Sequence, residues 1–252
     1  MLDNNSNGKV DRVTAVFSET LSAYTAGTTP WTLTNVPSGG TIASVTAASA
    51  TATLTITEGA GAADTSVGAM TVALATNAAG VRDAALNLAS FSARAPLDGA
   101  RPRAVTVVDT NGGTDGLMQA GDTLSITFSE ALSPATVPST TSVTLTDPSG
   151  TGNDTLSIAN ILNGARTTGS NLNISLDNSS ATFAGSTVAL TNSDRTITIT
   201  ITVAGACSGT ACGSIGTATA ATNLSFLAAT TLTDPAGNLP VTTAQNFSLR
   251  LF

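Results

Sequence analysis

Two stretches of the chain match each other and decide the predicted fold: VDRVTAVFSETLS at residues 10–22 and GDTLSITFSEALS at residues 121–133. They align without a gap, so that Glu19 of the first stretch matches Glu130 of the second. In both stretches apolar and polar residues alternate, which is typical of a β-strand with one buried face. The sequence therefore predicts two copies of one β-rich unit.

A second pair of matching stretches closes each copy. VRDAALNLASFSARAPL at residues 81–97 is similar to LTDPAGNLPVTTAQNFSLRLF at residues 232–252. The matched residues of their shared D-x-x-x-N pattern are Asp83 with Asp234 and Asn87 with Asn238. We therefore expect each copy to end in a polar turn followed by a final strand.

The boundary between the copies is predicted in APLDGARPRA, near residues 98–103, where proline and glycine cluster. The predicted domains are residues 1–98 and residues 99–252, and the second is longer because of insertions around 149–180 and 204–222. A chain of 252 residues is long enough to give each domain a hydrophobic core.

Most of the remaining chain also alternates apolar residues with threonine or serine, as in SVTAASATATLTIT at residues 44–57 and RTITITITV at residues 195–203. Separators such as PSGG and DPAGN have the composition of turns. No segment keeps an apolar stripe at helical spacing for three turns. The predicted fold class is all-β, with two antiparallel β-sandwich domains.

The composition excludes two classes of partner. Only 10% of the residues are charged, the net charge is −7, and Lys9 is the single lysine. The arginines are scattered and form no basic patch, so nucleic acid is not a predicted partner. No run approaches the roughly 18–20 apolar residues of a membrane span, so membrane insertion is not predicted either.

The loop before the first strand has the spacing of a calcium loop. DNNSNGKVD at residues 3–11 follows the D-x-[DN]-x-[DN]-G pattern, in which oxygen ligands at alternate positions converge and glycine permits a sharp turn. The predicted ligands are Asp3, Asn5, Asn7, Asp11 and the main-chain carbonyl of Lys9, while Val10 is expected to point into the core. Thr14 replaces the glutamate expected at the last position, so a further carboxylate from Glu19 or another loop is needed.

The second copy carries a longer version, DTNGGTDGLMQAGD at residues 109–122. The predicted ligands are Asp109, Asn111, Asp115, Asp122 and the main-chain carbonyl of Leu117, with Met118 pointing inward. Extracellular loops of this kind bind calcium at about 10⁻⁴–10⁻³ M. The alternative interpretation is that the aspartates and asparagines of both loops only build Asx-turns before a strand.

The two cysteines, Cys207 and Cys212, stand close enough in ACSGTACGS for a small disulfide loop. A disulfide in a secreted protein is the favoured interpretation, and two free thiols are the alternative. Zinc is not predicted, because the chain has no histidine and no third cysteine.

Catalysis is not predicted. Without histidine, the Ser-His-Asp and Cys-His nucleophile arrangements are excluded, and a Ser-Lys arrangement would have to rely on Lys9 alone. Glu19 and Glu130 lie in separate copies, at the end of matching strands, which favours a structural or metal-linked role over acid–base work. Tyr24 and Trp31 offer a possible exposed aromatic pair for a carbohydrate ligand, although a single tryptophan more often anchors the core of a sandwich.

The ordered set of an acidic glycine-containing loop, VFSETL or TFSEAL, and a closing turn such as LTDPAGNL resembles the bacterial Ig-like repeats of S-layer proteins and large surface adhesins. The resemblance covers both ends of each copy and little of the middle. It implies tandem Ig-like sandwiches at the cell surface or outside the cell, which serve as lattice, filament or stalk. The expected partners are further copies, neighbouring Ig-like repeats, a surface glycan or a host receptor.

The first 25 residues have no apolar signal-peptide core. For a secreted protein we therefore expect a leader outside this chain.

Overall fold

The computed structural model describes residues 1–26, 28–114, 116–147, 154–167, 180–202, 206–208, 215–216 and 221–251. These residues form β-strands and two short 3₁₀ turns, and every pairing between two of these strands is antiparallel. The prediction of an all-β chain with antiparallel sheets is confirmed. Among these residues, no helix has the length and apolar character of a membrane span.

The chain divides into two compact units, Met1–Arg101 (unit 1) and Pro102–Phe252 (unit 2). The strands of unit 1 are β1 (Arg12–Val16), β2 (Tyr24–Ala26), β3 (Trp31–Thr34), β4 (Thr41–Ala48), β5 (Thr51–Thr57), β6 (Thr71–Leu74) and β7 (Phe91–Arg94). A 3₁₀ turn at Pro37–Gly39 connects β3 to β4. The strands form two sheets, with the orders β1-β5-β4-β2 and β3-β6-β7.

The core of unit 1 takes side chains from both sheets, as a sandwich-like arrangement requires. Val13, Val45 and Leu54 come from the four-stranded sheet, and Val72 and Leu74 come from the three-stranded sheet. In β5 the alternation of TATLTIT appears directly as alternating burial, with Ala52, Leu54 and Ile56 inside. Burial of these apolar faces is what holds the two sheets together.

The strands of unit 2 are β8 (Ala104–Thr110), β9 (Leu117–Met118), β10 (Thr123–Phe128), β11 (Thr140–Thr146), β12 (Thr155–Ile158), β13 (Arg166–Thr167), β14 (Ser180–Thr191), β15 (Thr196–Thr200), β16 (Ala206–Ser208), β17 (Ile215–Gly216), β18 (Thr222–Phe226) and β19 (Gln245–Leu249). A 3₁₀ turn at Pro134–Thr136 follows β10. The largest sheet has the order β13-β12-β11-β14-β15-β10-β8, with β16 also paired to β14. Two small sheets pair β17 with β9 and β18 with β19.

The core of unit 2 combines this large sheet with the β18–β19 pair. Ile126 and Phe128 of β10 pack in the same cluster as Leu224 and Phe226 of β18. The rings of Phe128 and Phe226 meet edge to face, with 6.2 Å between their centroids, which is a favourable geometry for aromatic pairs.

The matching strands make matching main-chain hydrogen bonds. The N–H of Phe17 donates to the carbonyl of Ala50 at 2.8 Å, and the N–H of Phe128 donates to that of Arg195 at 2.8 Å. Four residues further on, Leu21 N–H donates to a carbonyl at 2.7 Å and Leu132 N–H does so at 2.9 Å. The two copies are therefore alike in main-chain geometry around the FSE sequence, as well as in sequence.

Candidate functional site

In each unit, the D-x-x-x-N turn is closed by its own aspartate and asparagine. In unit 1, Asn87 donates its main-chain N–H to Oδ1 of Asp83 at 2.9 Å and its amide Nδ2 to Oδ2 at 2.7 Å. The N–H of Asp83 donates back to the carbonyl of Asn87 at 3.1 Å. A single carboxylate thus accepts two hydrogen bonds and fixes the turn before the last strand.

Unit 2 repeats this geometry. Asn238 donates its N–H and its Nδ2 to the two oxygens of Asp234, both at 2.8 Å, and Asp234 N–H donates to the carbonyl of Asn238 at 3.1 Å. The residue before the asparagine has a positive φ in both turns: +90° at Gly237 and +70° at Leu86. Glycine accepts this conformation at little cost, whereas leucine does not.

The glutamate of the FSE sequence lies beside this turn in both units. The side chain of Glu19 lies close to that of Asp83, and a carboxylate oxygen of Glu130 lies within 4.8 Å of one of Asp234. We call the group formed by Glu19, Asp83 and Asn87, or by Glu130, Asp234 and Asn238, the acidic corner of its unit. Each corner lies where the segment after β1 or β10 meets the turn before the last strand of its unit.

The two acidic corners differ in exposure. In unit 2 the side chains of Glu130 and Asp234 are only 2% and 1% exposed, while Glu19 is exposed to solvent. In unit 1 the hydrogen bonds from the side chain and then the main chain of Asn87 lower the pKa of Asp83 below its ordinary value, because they favour the charged carboxylate.

The first acidic loop is ordered around Asp3. The carboxylate of Asp3 accepts the N–H of Gly8 at 2.7 Å and the N–H of Asn7 at 3.2 Å. Burial raises the pKa of Asp3, and these two hydrogen bonds oppose that rise. Gly8 has a φ of +88° and Val10 is buried in the core, so the predicted roles of the glycine and the valine are confirmed.

Asn5 and Asn7 both contact a carboxylate that comes from outside the loop. Their Nδ2 groups donate to Oε1 and Oε2 of Glu58, each at 2.7 Å. Their Oδ1 atoms accept the N–H of the residue two positions ahead, as in Asx-turns. Glu58, the residue after β5, therefore brings a further carboxylate to this loop.

Asp11 and Lys9 complete the loop. Oδ2 of Asp11 accepts the N–H groups of Asn4 and Asn5 at 3.1 and 3.2 Å. Oδ1 of Asp11 is buried and accepts no hydrogen bond from any described residue. The ammonium group of Lys9 donates to the carbonyl of Gly59 at 2.8 Å. The carboxylates of Asp3, Asp11 and Glu58 all lie at this loop, but their oxygens do not form a group within 4.8 Å of one another.

The second acidic loop is held differently. Both oxygens of Asp122 are used by the loop main chain, through the N–H groups of Gly112 at 2.9 Å and Gln119 at 2.7 Å. Asn111 accepts the N–H of Gly113 at 2.7 Å, which is again an Asx-turn. Asp109 lies within β8 and Leu117 within β9, while Asp115 is outside the described residues. Met118 is buried, as predicted.

The predicted aromatic pair is divided between the core and the surface. Trp31 is 4% exposed and meets the ring of Phe91 edge to face at 5.8 Å between centroids. Tyr24 is half-buried, and its hydroxyl donates to the carbonyl of Thr29 at 3.4 Å. Trp31 thus packs as a core anchor, which was one of the two alternatives, and its ring is not an exposed platform for a sugar.

The cysteine pair lies mostly outside the described residues. The main chain of Cys207 belongs to β16 and pairs with Ala181, while Cys212 falls in the undescribed range 209–214. The disulfide therefore stays a prediction.

Glu58 is the residue of this site that the pattern did not name. The signal for it is the position of TLTITEG at the end of a strand that pairs with β1 in the antiparallel direction. The acidic loop ends where β1 begins. Because β5 runs antiparallel to β1, the residue that follows β5 lies next to that loop. The position of Glu58 follows only from the pairing of β1 with β5, and the sequence alone does not predict that pairing.

No family model, curated protein or solved structure matches the chain.

Proposed function

We propose that this chain is a non-catalytic structural module of a bacterial cell-surface or extracellular protein, built from two tandem Ig-like sandwiches. The observation that carries the proposal is the acidic corner, which occurs twice with the same hydrogen bonds. In each unit the turn is also joined to the segment after the FSE sequence, because Ser22 N–H donates to the carbonyl of Arg82 at 2.8 Å and Ser133 N–H to that of Thr233 at 2.7 Å. A polar closure repeated in this way supports a module that is used in series.

The use of the carboxylates favours this function over catalysis. Asp83 and Asp234 each accept two hydrogen bonds from an asparagine, and Asp122 accepts two from the main chain. These carboxylates hold turns in place, and Glu19 and Glu130 sit in corners of different units. The chain has no histidine to act with serine or cysteine.

Calcium at the first acidic loop is part of the proposal. Asp3, Asp11 and Glu58 supply carboxylates, and Asn5 and Asn7 supply amide oxygens once their amide groups turn away from Glu58. The buried Oδ1 of Asp11, which no described residue satisfies, supports a cation at this loop. At ten times its dissociation constant, calcium would stabilise the folded state by about 1.4 kcal/mol.

A titration with calcium tests this part of the proposal. The melting temperature of unit 1, followed by the fluorescence of Trp31, should rise by about 5–10 °C in saturating calcium compared with chelator. Glu58→Gln should abolish most of the rise, whereas the matched control Glu19→Gln should keep it. Equal melting temperatures of the wild-type protein in calcium and in chelator would remove calcium from the account.

The structural role is tested by the association of the purified chain. Sedimentation and light scattering in millimolar calcium should detect assemblies that grow with protein concentration and dissolve in chelator. The opposing function is that of an adhesin domain that binds a surface glycan or a host receptor. A protein that stays monomeric at all concentrations and binds a defined glycan on an array would overturn the structural proposal in favour of that function.

A further inference from the structure

Unit 1 contains an open groove of about 860 Å³ between β1 and β7. Its walls include the segment from Val13 to Ser18, the segment from Leu88 to Phe91 and the segment from Arg94 to Gly99. Two apolar side chains among these are unusually exposed, namely Val16 at 79% and Leu97 at 90%. Exposed apolar groups around a concave surface indicate a place where another chain segment binds.

The edge of β1 in this groove offers main-chain hydrogen-bonding groups. On its other side β1 pairs with β5, and there the N–H of Phe17 and the carbonyl of Asp11 form hydrogen bonds with Ala50 and Ile56. Because these groups alternate along an antiparallel strand, those of Thr14 and Val16 point toward the groove. No strand among the described residues pairs with Thr14 or Val16 on that side.

Among the described residues, the one strand bridge along this edge is at its beginning. Leu2 exchanges two hydrogen bonds with Arg12, at 2.9 and 3.3 Å. From Val13 to Val16 the edge continues past this bridge. It therefore offers room for an extended segment of about four to six residues.

Unit 2 fills the equivalent position with a strand of its own. There β8 pairs along the whole length of β10, with Val108 opposite Ser125 and Thr106 opposite Thr127. In the repeat, Ser125 and Thr127 match Thr14 and Val16. Strand β8 also contacts β19, which is the counterpart of β7. The groove of unit 1 thus corresponds to the space that β8 occupies in unit 2.

We propose that the groove of unit 1 binds an extended polypeptide strand of the same kind as β8, antiparallel to β1, with small aliphatic side chains at alternate positions. The chemistry of this strand follows from β8, AVTVVDT, in which Val107 is buried while Thr106, Val108 and Thr110 are exposed. Main-chain hydrogen bonds to an exposed edge give such binding its affinity, and side-chain pockets give it specificity. This inference does not depend on the proposed function, because it rests on the comparison of two edges.

A synthetic peptide with the sequence of residues 103–110, RAVTVVDT, tests the inference on the full chain. The labelled peptide should bind with a 1:1 stoichiometry, as measured by fluorescence anisotropy. Hydrogen exchange of the amides of Thr14 and Val16 should slow at least tenfold when the peptide is bound. A peptide with Val108→Pro should bind at least tenfold more weakly, because the N–H of Val108 is the one expected to face β1.

A matched pair of substitutions in the protein locates the binding. Val16→Pro removes one N–H group from the open edge and should abolish binding, while Val16→Thr, which restores the residue of unit 2, should keep it. Failure of the RAVTVVDT peptide to bind, or equal binding to the Val16→Pro protein, would overturn the inference. If the Val16→Pro protein does not fold, the test is the binding of the two peptides, RAVTVVDT and its Val108→Pro variant, to the wild-type protein.

Discussion

The two units share one polar closure and differ in what surrounds it. Asn87 and Asn238 bind their aspartates at distances that agree within 0.1 Å. Yet Glu130 is buried while Glu19 is exposed, and Phe128 is 1% exposed while its counterpart Phe17 is only half-buried. The comparison teaches that a short motif determines local hydrogen bonds, whereas neighbouring strands determine how much those bonds and rings contribute to stability.

The largest expected effect is a loss in the free energy of unfolding, and it should differ between the two phenylalanines of the FSE sequence. Phe128→Ala should lower the free energy of unfolding of unit 2 by about 3–5 kcal/mol, since it leaves a cavity in a closed core. Phe17→Ala should cost unit 1 less, at most about 2 kcal/mol, because the ring is already partly in contact with solvent. Denaturant unfolding followed by circular dichroism, and by Trp31 fluorescence for unit 1, measures both losses. Equal losses would contradict the difference in packing.

The next largest effect on the free energy of unfolding is expected when the aspartate of an acidic corner is replaced by alanine. Asp234→Ala leaves the N–H and amide of Asn238 without their acceptor beside a buried glutamate, and should cost about 2–3 kcal/mol. Asp83→Ala removes the same hydrogen bonds where water can replace them, so its effect on the unfolding free energy should be clearly smaller. A loss for Asp83→Ala as large as that for Asp234→Ala would show that burial does not control the strength of the corner.

A smaller effect is expected from the residue before each asparagine. Gly237→Ala should destabilise unit 2 by about 1 kcal/mol, because a side chain is disfavoured at a φ of +90°. No heavy atom beyond Gly237 and its two chain neighbours lies within 4 Å of the added carbon, so the cost comes from the main chain and not from a clash. Leu86→Gly should have the opposite sign and stabilise unit 1 by a similar amount, as measured by thermal unfolding. Destabilisation by Leu86→Gly would contradict this reasoning.

The smallest expected effect is on how the stability of unit 1 depends on pH in acid solution. Since the pKa of Asp83 is lowered in the folded state, its ionised form contributes stability at pH values above its ordinary pKa of 3.8. That contribution is lost as the pH falls through the lowered pKa. In Asn87→Ala, the pKa of Asp83 measured by NMR titration should return toward its ordinary value, and the loss of stability in acid should become less steep. An unchanged pKa would mean that Asn87 is not the cause.

The sequence predicted the features that depend on local pattern. Alternation in TATLTIT gave the buried face of β5, and the gapless match of the FSE stretches gave the equivalence of β1 and β10. The glycine of the first acidic loop and the inward valine after it were also correct. These features need only the period of a strand or the conformational freedom of one residue.

The features that depend on pairing between distant strands were not predictable. Glu58 reaches Asn5 and Asn7 only because β5 runs antiparallel to β1. The open edge of β1 becomes visible only when β8 is seen beside β10. The positive φ of Leu86 is imposed by the hydrogen bonds of its turn, against the preference of leucine.

The central claim is that the chain consists of two copies of a structural module, each closed by its own acidic corner. Single-molecule stretching between the chain ends tests this claim most directly. We expect two separate unfolding steps, which release about 35 nm for unit 1 and about 50 nm for unit 2, with Asp234→Ala lowering the force of the longer step alone. A single step for the whole chain, or a lowered force for both steps in Asp234→Ala, would contradict the account.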